Sequence, residues 1–184
     1  RERTGSSVDT RLLGTAMHEL VDAMARLAGF RYEGIDPETL EPTFSTPGDT
    51  LLTFERLPAR ARHLVCFAAL SIRTLWAAYP GRDPRMAEGV VAIDEIDLHQ
   101  DDAVAERIVS TLRHGLPRVQ WIVTTTSAVV AGSVSDHEVL ALRNGDGDRC
   151  EHNQTVRGQL MPVLVSAAFP VCARFPADAD HADA

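Results

Sequence analysis

The sequence predicts an α/β domain built on a parallel sheet flanked by helices. Three observations carry this. The stretch Val90-Val91-Ala92-Ile93 is an unbroken apolar run, rich in β-branched residues, that ends on two adjacent carboxylates, Asp94 and Glu95. A second apolar run follows at 119–124, and the residues between the two runs carry a helical pattern. Strand, helix, strand is the parallel crossover unit. A run such as 90–93 reads as a strand buried on both faces, which places it in the middle of the sheet. Its carboxylates then fall at the strand's C-terminal end, where open α/β sheets hold their ligands.

Bulk properties set the frame. The chain has 184 residues, 45% hydrophobic and 24% charged, with a net charge of −8. That is enough chain for one domain with a real core. The acidic balance argues against broad nucleic-acid binding by this chain alone. No apolar run nears the ~20 residues of a membrane span, and no signal-peptide pattern is visible. The cysteines Cys66, Cys150 and Cys172 are odd in number and far apart, as expected of free thiols in a reducing cytoplasm. All 18 basic residues are Arg and none is Lys. A P-loop needs a Lys on the β/γ-phosphates, so this chain contains none of the ordinary kind. It opens on Arg1 rather than Met, as an internal piece of a longer protein would.

In chain order, residues 1–8 are polar and expected to be a flexible N-terminus. A helix is predicted over 9–28. Leu13, Met17, Leu20, Met24 and Leu27 form its apolar stripe, and Gly29 ends it. Residues 30–55 are turn-rich, with short strands expected at 42–45 and 50–55 around Pro47-Gly48-Asp49. A long helix opens near Leu57-Pro58 and runs to 78, apolar nearly all round and therefore expected to be buried. A loop over 81–89 leads into the strand at 90–93. Asp101 or Asp102 caps a helix to 114, with Gly115 at its end. After the strand at 119–124, a further strand at 139–142 precedes a turn at 144–148, and a last helix is predicted over 159–169. The lobe as a whole is expected to cover 9–172. The tail 173–184, with alternating Ala and Asp, reads as disordered.

The acids carry the chemistry. An Asp at such a strand end can hold Mg²⁺, and a Glu beside it can orient or deprotonate a water. This is the Walker B pattern of nucleotide hydrolases. Ile93-Asp94-Glu95-Ile96-Asp97-Leu98-His99 resembles the Walker B and D-loop of ABC-type ATPases of the chromosome-maintenance and recombination kind. Among these it looks most like bacterial AAA family proteins related to the overcoming-lysogenisation-defect ATPases. Val119-Gln120-Trp121-Ile122-Val123-Thr124-Thr125-Thr126-Ser127 resembles the family's next strand and its H-loop.

The resemblance implies the C-terminal half of an ATPase head that lacks the Walker A part. A Walker A lobe would come from an N-terminal segment or a partner subunit, and two heads would sandwich ATP and Mg²⁺ in a head-to-head dimer. It implies Asp94 as the Mg²⁺ ligand, Glu95 as the catalytic base, and Asp97 with His99 at the subunit junction. Thr126 falls at the H-loop position, where the family usually has His. Aligned on Leu57 and Arg62, the signature motif is degenerate, with Pro58 in place of Ser and Arg60 in place of Gly. Gln100-Asp101-Asp102 departs from the family's usual continuation.

Two functions remain open from the sequence. One is an ATPase lobe in bacterial DNA maintenance or phage defence, reaching DNA through its parent complex and inactive alone. The other is a degenerate, non-hydrolysing head that scaffolds a partner. Pro58, Arg60 and Thr126 favour the second; the intact acid pair favours the first. A phosphodiesterase built on Asp94, Glu95 and Asp97 is disfavoured, since no matching acidic cluster follows. Asn144-Gly145-Asp146-Gly147-Asp148 resembles a calcium loop, but Arg149 and Thr155 stand where an EF-hand needs Gly and Glu. His18-Glu19 is no metalloprotease motif, because Asp22 stands where the second His belongs. No nucleophile elbow is present.

Overall fold

The structure is a computed structural model. It describes the backbone of residues 3–142, 150–152 and 163–167, and the side chains of 10–135 and 137–140. The first element is helix α1, Arg3–Leu27, which begins before the expected position 9. Leu20 and Met24 of its stripe are buried, while Leu13, Met17 and Leu27 pack at the margin of the core. Gly29 ends the helix with φ +84°, a left-handed conformation that glycine adopts at no steric cost.

A small antiparallel sheet follows, formed by β1 (Arg31–Ile35), β2 (Pro42–Ser45) and β3 (Leu51–Thr53). β1 lies in the turn-rich stretch, ahead of the two strands expected there. Its Tyr32 packs on Phe44 of β2, ring centroids 5.4 Å apart, and both are buried. The anticipated turn joins β2 to β3, with Asp49 in the left-handed region. β3 is shorter than expected, because Phe54–Arg56 form a turn of 3₁₀ helix.

Helix α2, Ala59–Ala78, follows with Pro58 as its N-cap residue. It is buried along one face only, through Ala61, Leu64, Val65, Ala68, Ser71, Ile72 and Leu75. Leu70 is 56% exposed. The apolar surround of this helix therefore exceeds what the described core covers, and the fully buried helix read from composition is corrected.

The second sheet runs β4 (Gly89–Ile93), β5 (Val119–Thr125), β8 (Val163–Ala167), β6 (Val139–Leu142), β7 (Cys150–His152). Helix α3, Asp102–Gly115, links β4 to β5, and these two strands are parallel, Gly89 opposite Val119 and Ile93 opposite Val123. Asp101 caps α3, accepting the Val104 N–H, and Gly115 is its last residue.

Three expectations are corrected here. β8 stands where the last helix was expected, and pairs antiparallel with β5 and β6. Val163-Leu164-Val165 has the β-branched character that a pleated surface accommodates. The sheet is therefore mixed rather than parallel throughout. Among the described residues β4 is an edge strand rather than a central one, and its burial alternates, with Val90 63% exposed. β6 and β7 pair antiparallel as a hairpin requires; the turn 144–148 and the tail 173–184 lie outside the described residues.

The core lies between one face of β4–β5 and the helices. Ile93, Val119, Trp121 and Val123 point into it and meet Val104, Ile108, Val109 and Leu112 of α3. α1 packs against both α2 and α3. The opposite face of the strand pair, with Val90, Ala92, Gln120 and Ile122, is exposed or half-exposed, as the alternation of strand side chains dictates. Among the described residues, helices thus cover one face of this pair.

Candidate functional site

β4 stops at Ile93, while β5 runs two residues beyond the last paired position, Val123. Thr124 and Thr125 therefore flank the acid loop that leaves β4. The Thr124 hydroxyl donates to the Asp94 carboxylate and accepts the Glu95 N–H at 2.8 Å. The Ile96 N–H donates to the Thr124 carbonyl at 3.0 Å. The Thr125 hydroxyl donates to the Asp97 carboxylate and accepts the Ser127 N–H at 2.9 Å. Each threonine thus serves the loop with both halves of its hydroxyl. Ile96, fully buried, pins the loop's midpoint to the core.

The loop turns sharply. Leu98 N–H bonds the Glu95 carbonyl and Gln100 N–H bonds the Asp97 carbonyl, each at 2.9 Å. Glu95 and His99 take φ of +49° and +66°. A left-handed residue with a side chain costs roughly 1–2 kcal/mol. Such residues persist where their surroundings over-determine them, and they gather at functional sites.

The loop is also joined to the start of α2. Arg60 pairs with Asp101 at 3.1 Å and donates to the Ala28 carbonyl at 3.3 Å. Gln100 donates to the Arg60 carbonyl at 3.1 Å. The His63 and His99 rings lie 5.3 Å apart. The signature-like segment and the acid loop, far apart in sequence, therefore form one edge of the molecule.

Each expected site residue can now be located. Asp94 and Glu95 lie past the strand end, both exposed. Asp97 is half-buried, with its carboxylate turned onto Thr125. His99 closes the loop against His63. Leu57 is buried, and Pro58 and Arg62 are exposed. Arg60 is taken up by intramolecular bonds. Thr126 is exposed, one residue past β5 and just before the short helix α4, Ala128–Gly132. Sequence reasoning missed Thr124, Thr125 and Gln100. The signal in the sequence is the run of three threonines, of which Thr126 alone is among the expected site residues.

Asp94 suits Mg²⁺ in one respect. Thr124 occupies one carboxylate oxygen and leaves the other without a hydrogen bond among the described residues. Among the described residues there is no group of three His, Cys, Asp or Glu side chains that could hold a metal. Mg²⁺ is commonly held by one or two carboxylates together with phosphates and water, so the residues fit a shared site rather than a complete one.

A cleft of about 960 Å³ lies elsewhere, between α1, the 83–86 turn and α3. It sits by the N-terminal ends of β4 and β5, opposite the acids. Arg85 spans part of it, bound to Asp83 at 2.6 Å and Glu19 at 2.7 Å. The Arg85 guanidinium holds the Asp83 carboxyl below its usual range, and Arg85 itself is raised in return.

The fold resembles that of SMC ATPase head domains. A solved structure described under ATP-driven dimerisation and DNA-stimulated activation of SMC ATPases superposes with a TM-score of 0.53 at 18% identity, covering 88% of this chain and 89% of that one. At that identity the likeness shows the fold. In sequence, the chain is 31% identical over 96 residues to the retron Ec83 probable ATPase of Escherichia coli, covering 52% of this chain and 17% of that protein. It is 41% identical over 56 residues to the Septu protein PtuA of Bacillus mycoides (strain KBAB4), covering 30% of this chain and 8% of that protein. The chain thus spans less than a fifth of the length of either relative. No protein-family profile matches it. No helix among the described residues is long and apolar enough to cross a membrane.

Proposed function

We propose that this chain is the Walker B lobe, residues 9–172, of an ATP-hydrolysing ABC-type head in a bacterial DNA-maintenance or phage-defence protein. The observation that carries the reading is the acid pair at the C-terminal ends of the parallel strands β4 and β5, bonded there by Thr124. ATP with Mg²⁺ would supply the triphosphate and the cation. Asp94 would offer its remaining oxygen to that cation, and Glu95 would orient and deprotonate the attacking water.

The missing Walker A lobe has a natural seat. β4 leaves one edge without a partner among the described residues, and Val90, Ala92 and Ile122 present apolar surface beside it. An uncovered strand edge with apolar neighbours is a surface that native proteins normally cover. A lobe from the same protein, or from a partner subunit, would seat there. Head-to-head dimerisation, DNA contact through the parent complex and a cytoplasmic setting belong to the same reading.

One observation favours the scaffold alternative. The Arg60 guanidinium is engaged by Asp101 and the Ala28 carbonyl rather than left free for a phosphate. ATP turnover by this chain joined to its Walker A lobe, with Glu95→Gln as control, separates the two. An ATPase loses turnover by orders of magnitude on that substitution. Turnover unchanged by it removes Glu95 from the mechanism.

A further inference from the structure

We infer that Thr124 is a positioning residue of the acid pair, and that Thr125 secures the loop behind it; this rests on the ATPase reading. A threonine hydroxyl has one proton to give. Thr124 gives it to Asp94, so the bond from the Glu95 N–H falls on its lone pair. One oxygen therefore fixes the side chain of the first acid and the main chain of the second. The carbonyl of the same residue takes the Ile96 N–H. Three successive residues of the loop are thus registered on Thr124.

The need for this is visible in the backbone. Glu95 is held at φ +49°, a conformation that a free loop abandons. Ile96 in the core and Asp97 on Thr125 hold the far side of the strained residue. Glu95 is thereby aimed before any ligand arrives. The same bond occupies one oxygen of Asp94 and leaves the second without a hydrogen bond among the described residues, so Thr124 also selects which oxygen meets a cation. Hydrogen bonds to a ligating carboxylate typically set metal affinity or activity by about 10–100-fold.

The test compares Thr124→Val with Thr124→Ser in two measurements. The first is amide hydrogen exchange at Glu95 in the full chain. Valine should speed exchange about tenfold or more, as loss of a bond worth about 1.4 kcal/mol requires, while serine leaves it near wild type. The second is the Mg²⁺ dependence of ATP turnover with the Walker A lobe supplied. Valine should raise the half-saturating Mg²⁺ concentration and lower kcat, each about tenfold or more, and serine should restore both.

Unchanged exchange in Thr124→Val overturns the inference. So does faster exchange with unaltered kcat and Mg²⁺ dependence, which makes the hydroxyl a loop fastener only. A loss that serine does not rescue also overturns it, since packing is then responsible. If the wild-type assembly shows no turnover at all, the ATPase reading fails separately, and exchange at Glu95 alone decides whether Thr124 orders the loop.

Discussion

Replacing Thr125 by valine isolates the polar half of the lock behind the acid loop. Thr125 is 2% exposed, and valine fills nearly the same volume, so no cavity opens and packing is preserved. What disappears is the hydroxyl that donates to Asp97 and accepts from Ser127. A hydrogen bond to a charged group contributes about 1.5–3 kcal/mol, and a stranded buried N–H costs about 1–3 kcal/mol. Asp97 and Ser127 are only half-buried, so water recovers part of this, and the net loss expected is about 2–4 kcal/mol. In a domain of this size, each kcal/mol lowers Tm by about 2–4 °C.

Urea unfolding followed by tryptophan fluorescence measures it. Trp121 lies four residues upstream on the same strand and is fully buried. Thr125→Ser keeps the hydroxyl and loses one methyl, about 0.8 kcal/mol. A double-mutant cycle with Asp97→Ala should return a coupling of at least 1 kcal/mol, within the range for residues sharing a network. Thr125→Val within about 0.5 kcal/mol of wild type, the range of an indifferent surface change, refutes the reasoning. So does a serine variant as unstable as the valine one.

Three further outcomes are expected. Glu95→Gly should be more stable than Glu95→Ala by about 1 kcal/mol in urea unfolding, because only glycine adopts φ +49° without strain; equal stabilities contradict the strained loop. Val90→Glu should leave the chain's stability within about 0.5 kcal/mol, since Val90 is 63% exposed, yet weaken association with the Walker A lobe in a binding titration. Intact association removes this sheet face from the seat. Asp83 is held below its usual value first by the Arg85 guanidinium, and also by the Arg85 N–H and charge, against its own burial. A depressed carboxyl contributes stability above its unfolded value, and that contribution is lost as acid protonates it in the folded state. Asp83→Asn should therefore flatten the fall of stability below about pH 4, as measured by urea midpoints across pH.

The sequence carried the local elements where one physical rule dominated. The β4–α3–β5 unit was legible because apolar runs, the Asp101 cap and the closing Gly115 all agreed. Gly29 marked the end of α1 for the same reason. β1 is not legible locally because its burial rests on Tyr32 meeting Phe44 across the sheet, a pairing that no local pattern announces. The last strand reads as a helix in the sequence because Gln159 to Phe169 is apolar without a decisive period; the pairing of Val163–Ala167 with β5 and β6 chose the extended form. α2 looked fully buried because composition counts apolar side chains and not the surfaces available to cover them.

At the candidate site, the sequence alone determined the presence of two acids after a strand and the absence of any lysine to grip a triphosphate. Both are facts of composition and order, which folding does not alter. Only the tertiary structure decided that Thr124 holds those acids and Thr125 the Asp97 behind them, that Arg60 is bonded to Asp101 and Ala28, and that β4 stands at an edge among the described strands. Each of these depends on which distant segment arrives beside the loop. A hydroxyl's partner and a strand's neighbour are set by the packing of the whole chain, not by the residues on either side.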